Sequence, residues 1–319
     1  MKHKWLIPLG LGLTTAGVGL SLAVTGQLVA VALDRNAPKL MNRLQSRLTG
    51  TGQLGQLSRL QDMVSGHLQE AGCCKVVLTA RDGERLTGHL WCCKDAKRTV
   101  LCMHGWRSEW SRDFGMIAEF LFHNGCNVLF AEQRGQGGSG GSHICFGLQE
   151  RYDCLDWIFY LNRNGFSHLP MYLAGISMGA TTVLMATGFP LPSNVHGVIA
   201  DCGYTSPGEI FRHVAKNNLH LPYGKLRKAL VCRLCRRRLR EDPDSYSCQQ
   251  ALRQCRVPVL FIHGTEDTFV PISMTYENYK ACAGPKELFV VPGAGHGTSY
   301  LVDGPGYEKR VLSFFAQYD

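Results

Sequence analysis

Charged residues are few in this 319-residue chain, at 18% against 45% apolar, and the 36 glycines do not gather into a low-complexity tract. That balance excludes a disordered chain and is enough to build a sizeable buried core. No unit of about 20–50 residues repeats, which excludes a solenoid or propeller and favours one main domain with additions. Charge is missing altogether between Trp5 and Leu33, a stretch longer than the ~20 residues a helix needs to cross a bilayer. This predicts a membrane anchor over residues 1–34, with a cleaved signal peptide ending near Ala30-Val31-Ala32 as the rival reading. Its apolar part far exceeds the roughly 7–15 residues usual for a signal peptide. Lys2 and Lys4 precede the stretch while Arg35, Lys39, Arg43 and Arg47 follow it, so the side of the membrane stays open.

Histidine partners are missing from the one metal-like cysteine pattern, Cys232-x2-Cys235 with Cys248 and Cys255, and its spacing is irregular, so a structural zinc is not expected. Most of the 14 cysteines read as small buried hydrophobes, and their redox state is left open. In Cys73-Cys74 and Cys92-Cys93 the members of each pair should point to opposite faces of a strand.

Residues 35–72 show helical spacing at Leu40, Met41, Leu44 and Leu48, then at Leu54, Leu57, Leu60, Met63 and Leu68, broken by Gly50-Thr51-Gly52. They predict an amphipathic helical linker packed on the main domain or on a membrane surface. Short apolar runs then alternate with helical stretches through residues 73–319. Strands are expected at Lys75–Ala80, Arg85–Trp91, Thr99–His104, Asn127–Ala131, Met171–Gly175, Val195–Ala200, Val257–His263 and Glu287–Val291. The first two form a hairpin around Asp82-Gly83. Helices are expected at Asp113–His123, Gln149–Asn162, Met178–Thr187, Ser273–Cys282 and Tyr307–Ala316. This alternation predicts an α/β fold with a mostly parallel sheet covered on both faces and ligands at the carboxyl ends of the strands. Residues 206–254 break the alternation after the sixth strand and read as a helical cap.

Four short stretches carry the chemistry: His104-Gly105-Trp106, Gly175-Ile176-Ser177-Met178-Gly179, Gly264-Thr265-Glu266-Asp267 and Gly293-Ala294-Gly295-His296-Gly297. Ser177 sits between an apolar strand and a helix, the setting of a sharp turn that pushes a serine hydroxyl into a cleft, and this makes it the candidate nucleophile. A hydroxyl needs a base as it attacks, and His296, in a glycine-rich loop after a late strand, is the candidate among 12 histidines. Asp267 is the candidate acid that fixes the imidazole tautomer, with Glu266 as its competitor. The backbone N–H groups of Met178 and Trp106 are the expected oxyanion donors.

The order Ser, Asp, His and these contexts resemble the α/β-hydrolase superfamily over roughly Val76 to Phe315. Within it the chain is similar to membrane-anchored bacterial hydrolases of the serine aminopeptidase-like and BEM46-like branch. The supporting phrases are Val128-Leu129-Phe130-Ala131-Glu132-Gln133-Arg134-Gly135-Gln136-Gly137, then Phe146-Gly147 with Glu150 and Asp153, then Asp201-Cys202-Gly203-Tyr204-Thr205-Ser206. The resemblance implies an α/β-hydrolase fold and favours Asp267, three residues after Gly264, over Glu266. Many relatives have Asp and His where this chain has Glu132 and Gln136, a segment expected to brace loops around the site. The implied activity is a serine hydrolase acting on a carboxylic ester, possible substrates being small-molecule or lipid-like acyl compounds. A peptidase, thioesterase or acyltransferase would use the same triad, and a hydrolase-fold binding protein is the reading from another class. No cofactor or metal is required.

Between Lys225 and Arg240 lie Lys225, Arg227, Lys228, Arg233, Arg236, Arg237, Arg238 and Arg240, which supply much of the net charge of +9. Leu226, Leu230 and Leu234 predict the packed stripe of a basic amphipathic helix. Its basic face is either simply solvated or meets anionic lipid headgroups or an acidic substrate. No nucleic-acid-binding motif accompanies the charges.

Overall fold

In the computed structural model, residues 6–36 and 53–319 are described, with side chains at 19, 21–36 and 60–319. The linker pattern from Leu40 to Leu48, its Gly50-Thr51-Gly52 break, and Lys2, Lys4, Lys39, Arg43 and Arg47 lie outside the described residues. The strands are β1 Cys74–Thr79, β2 Arg85–Trp91, β3 Arg98–Met103, β4 Cys126–Ala131, β5 Met171–Ile176, β6 Val195–Asp201, β7 Val259–Gly264 and β8 Lys286–Val291. They form one sheet in the order β1-β2-β4-β3-β5-β6-β7-β8. β2 runs antiparallel to both β1 and β4, and every other pair is parallel.

β3, β4 and β7 are buried along their whole length, which is why they read as mostly apolar runs rather than as alternating strands. Edge strand β1 is mostly exposed. Its hairpin to β2 closes with Gly83 in the left-handed region and Ala80 N–H donating to Glu84 at 2.8 Å. The seventh strand begins at Val259, two residues later than expected, because Pro258 has no N–H to give the ladder.

The helices are α1 Leu6–Leu33, α2 Gln53–Glu70, α3 Trp110–His123, α4 Glu150–Leu161, α5 Met178–Ala186, α6 Pro207–His213, α7 Lys225–Leu239, α8 Cys248–Leu252, α9 Ile272–Ala281, α10 Ser299–Val302 and α11 Gly304–Tyr318. Trp157, Leu161, Val183 and Met185 fill one face of the sheet, and Phe114, Ile117, Val311, Phe314 and Phe315 fill the other. Each such side chain contributes about 2 kcal/mol through burial. α11 starts three residues ahead of the expected Tyr307, because Asp303 accepts from Gly306 N–H at 2.9 Å and proline stands in the first turn. α2 lies on α3, with Leu68 buried and Ser65 and Gln69 both reaching the Ser111 hydroxyl, at 2.7 and 2.9 Å.

The segment between β6 and β7 carries α6, α7 and α8. Ser206 caps α6 and Ser247 caps α8. The packed stripe of α7 differs from the expected one. Leu226 is 64% exposed, whereas Arg227, Val231, Cys235 and Leu239 are buried. The helix is rotated because the second half of α1 packs on it, and Arg227 donates to Thr25 Oγ1 at 3.0 Å and Ser21 Oγ at 2.5 Å.

That contact also corrects the reading of residues 1–34 as a transmembrane span. Val29 and Leu33 are buried beside Ile144, Met178, Val231 and Leu239, so the last turns of α1 belong to the protein core. Among the residues searched, no helix is long and apolar enough to cross a membrane.

The cysteines of the metal-like pattern do not converge. Cys232 lies instead beside Asp242 and Asp244, whose carboxylates pair with Arg236 and Lys228. Ten of the cysteines are buried, and Cys73 packs on the core while Cys74 faces out.

Candidate active site

The carboxyl ends of β3, β5, β6, β7 and β8 lie side by side, and the site is built on the loops that leave them. Ser177 follows β5 with φ 57° and ψ −115°, a strained conformation for a residue with a Cβ. The turn is held by close backbone approach. A Cβ on Gly175 would come within 2.3 Å of Gly179, and one on Gly179 within 1.8 Å of the Met103 carbonyl. No other residue fits either position.

The three candidate triad residues come together. His296 Nε2 lies 2.9 Å from Ser177 Oγ, and His296 Nδ1 lies 2.7 Å from Asp267 Oδ2. With Nδ1 donating to the carboxylate, Nε2 is left to accept from the hydroxyl. Asp267 Oδ1 accepts from the N–H groups of Phe269 and Val270, each at 2.9 Å. Burial opposes ionisation of Asp267, but hydrogen bonds from His263 and His296, the charge of His296 and the Val270 N–H hold it far below the ordinary carboxylate range. Glu266 points into solvent. The site can therefore withdraw a proton from a buried serine hydroxyl onto an imidazole oriented by a carboxylate.

His104, Gly105 and Trp106 follow β3. The Gly105 N–H donates to Asp113 Oδ2 at 2.6 Å, while neither the Trp106 nor the Met178 N–H has a partner among the described residues. Asp113 also accepts from Ser108 Oγ, and Gln133 grips His104 from both sides: its N–H donates to Nε2 at 3.0 Å, and its side-chain amide donates to the His104 carbonyl. His104 Nδ1 donates to the Gly105 carbonyl at 2.8 Å, and burial lowers its pKa, so the ring stays neutral.

The segment in which Glu132 and Gln136 stand is a brace. Glu132 pairs with His89 at 2.6 Å and takes the Gly138 N–H, and Gln136 Oε1 accepts from Arg107 N–H at 2.5 Å. Arg134 forks onto Asp153 at 2.6 and 2.5 Å and reaches Asp82 at 2.7 Å.

Several residues at the site went unnoticed in the sequence. His263 lies 3.3 Å from Asp267 Oδ2, donates to the Val270 carbonyl at 2.9 Å and accepts from Thr275 at 2.7 Å. Its one signal was a polar residue ending a buried strand. Asp201 ends β6 and accepts from Ser299 Oγ at 3.0 Å. Burial pushes its carboxyl up to about 6, against the Ser299 hydrogen bond and the nearby His263 and His296, and Asp267 adds to the rise. Asp113 was legible only as a helix start, and Arg107 not at all.

Sheet order and sharp turn together define an α/β-hydrolase fold. Residues 94–230 match the model of a hydrolase family described as serine aminopeptidase, S33. The chain is 28% identical to Bacillus subtilis YqkD over 242 residues, covering 75% of this chain and 77% of that protein. It is 25% identical to the alpha/beta hydrolase domain-containing protein 17B of Xenopus laevis over 248 residues, 76% of this chain and 75% of the relative. Its fold is similar to that of a Pyrococcus furiosus esterase, with a TM-score of 0.65 at 22% identity over 78% of this chain and 93% of the esterase. In family match, relatives and fold alike, the chain is similar to the α/β-hydrolase superfamily.

Proposed function

We propose that this protein is a serine hydrolase that cleaves a carboxylic ester through an acyl-enzyme. Ser177 Oγ attacks the ester carbonyl as its proton passes to His296 Nε2, and Asp267 stabilises the imidazolium. The Trp106 and Met178 N–H groups receive the oxyanion, and His296 returns the proton to the leaving alcohol. Water, deprotonated by His296, then attacks the acyl-enzyme, releasing the acid and Ser177. The observation that carries this reading is the unbroken Ser177–His296–Asp267 hydrogen-bond chain beside two N–H groups without partners among the described residues.

An acyl substrate with an apolar, lipid-like body suits the neighbourhood. Met178, Phe146, Tyr204 and Val270 form one apolar cluster with the cap, and Phe269 lies 5.1 Å from the His296 ring. Membrane-surface attachment belongs to the same reading. The uncharged first half of α1 would dip into the surface, while Lys225, Arg233, Arg237 and Arg240 of the cap, all exposed and without an ion-pair partner among the described residues, would face anionic headgroups.

The test is hydrolysis of p-nitrophenyl esters of increasing chain length by wild type, Ser177→Ala and His296→Ala. Each variant should lose at least about 10⁴-fold in kcat while keeping its melting temperature within a few degrees. Folded wild type that turns over none of the esters contradicts the proposal.

A further inference from the structure

The last turn of α1 leaves its final carbonyls without helical partners, as every helix does. Here all four are taken up. The Ala30 carbonyl accepts from Asp34 N–H at 2.8 Å and the Leu33 carbonyl from Ile144 N–H at 2.7 Å. The other two are taken by the loop after β3. Trp106 Nε1 donates to the Ala32 carbonyl at 2.8 Å, and Arg107 Nε and Nη2 donate to the Val31 carbonyl at 3.0 and 2.6 Å. The same guanidinium reaches the Asp34 carbonyl at 2.5 Å and the Arg35 carbonyl at 3.3 Å. A cation at the negative end of a helix is favourable on its own, and a planar fork serves several carbonyls at once.

Arg107 also holds a strained backbone, with φ 50°, and its guanidinium lies 5.4 Å from the centre of the Trp106 ring. The helix end is itself fixed to the body of the protein. Asp34 pairs with Arg238 of the cap at 2.7 Å, and Arg35 donates to the Ser139 and Gly137 carbonyls at 2.5 and 2.6 Å. The peptide unit between Gly105 and Arg107 is thus gripped on one side by Asp113 and on the other by α1.

We propose that residues 31–35 are a positioning part of the active site: Arg107, by capping α1, sets the Trp106 N–H at the place where the oxyanion forms. This rests on the ester-hydrolase reading for its chemistry. Arg107 is a positioning residue, since its guanidinium is spent on the α1 carbonyls. The arrangement gives α1 control over turnover through Arg107, with no hydrogen bond from its described residues to Ser177 or His296. A pull on α1 from its far end would loosen the donor and slow the enzyme.

The test compares full-length wild type, Arg107→Ala, Arg107→Lys and Asp34→Ala, using p-nitrophenyl butyrate turnover, melting temperature and hydrogen exchange of the 104–110 peptide. A misplaced oxyanion donor should lower kcat of Arg107→Ala roughly 10- to 100-fold with KM within about twofold, and speed exchange in that peptide. Arg107→Lys should recover part of the loss, since an ammonium keeps the charge but lacks the planar fork that spreads donors over three carbonyls. Asp34→Ala, whose side chain touches neither Trp106 nor Ser177, should show a smaller fall of the same kind and decides the matter if Arg107→Ala fails to fold. Folded variants with wild-type kcat and exchange overturn the positioning claim alone. A wild type that is inert to the ester and to a fluorophosphonate overturns the hydrolase reading, and the positioning claim with it.

Discussion

At the scale of single residues, the site divides its carboxylates by environment. Asp267 is held ionised by two histidines and two backbone N–H groups, whereas Asp201, buried behind it with one serine, is pushed up to about 6. Asp267→Asn should therefore keep the fold but hold His296 in the wrong tautomer, lowering kcat by about 10⁴-fold, as steady-state kinetics with an activated ester would show. Asp201 predicts a pH effect on stability. Its folded pKa lies above its ordinary value of 3.8, so between about pH 4 and 6 the folded state binds more protons than the unfolded state, and stability from this group falls as pH rises through that window. Asp201→Asn, which stays neutral, should gain in melting temperature relative to wild type from pH 4 to 7. Parallel melting profiles would contradict this. That Ser177, Asp267 and His296 meet was expected from the sequence because they lie in short glycine-marked loops. The proximity of His263, Asp201 and Ser299 was not, because it comes from the packing of two strand ends and the start of α10, which no local spacing encodes.

At the scale of elements, the strands were readable because buried parallel strands are mostly apolar runs; their ends fall within one residue of expectation except at the start of β7, where Pro258 intervenes. The cap helix misled. Leucines at every fourth position predicted its packed face, but the buried face of α7 centres on Arg227, Val231, Cys235 and Leu239, with Leu234 at its edge and Leu226 exposed, because the apolar side of α1 and the hydroxyls of Ser21 and Thr25 lie there. A buried arginine with hydroxyl partners looks like a surface residue in sequence. Val231→Asp should destabilise the protein by roughly 3 kcal/mol or more by burying an unpaired carboxylate, whereas Leu226→Asp should stay within about 0.5 kcal/mol. Urea titrations of the two variants check this, and the reverse ranking would restore the leucine stripe as the packed face.

At the scale of the whole molecule, the chain is a hydrolase sheet whose cap and N-terminal helix close over the same apolar cluster beside Ser177. The apolar character of residues 5–33 was plain in the sequence, but an uncharged helix reads alike whether lipid or protein covers it, so its docking on the cap was not legible. Removing residues 1–36 strips Val29 and Leu33 from that cluster and should lower the melting temperature by roughly 10 °C, as differential scanning calorimetry would show. An unchanged melting point would mean that the helix contributes nothing to the fold. The central claim, that the fold activates Ser177, is tested most directly by treating the full-length protein with a fluorophosphonate and reading intact mass and peptide maps. The account predicts one adduct, on Ser177, absent from Ser177→Ala and slowed in His296→Ala. Folded protein that takes up no label, or takes it up elsewhere than Ser177, would contradict it.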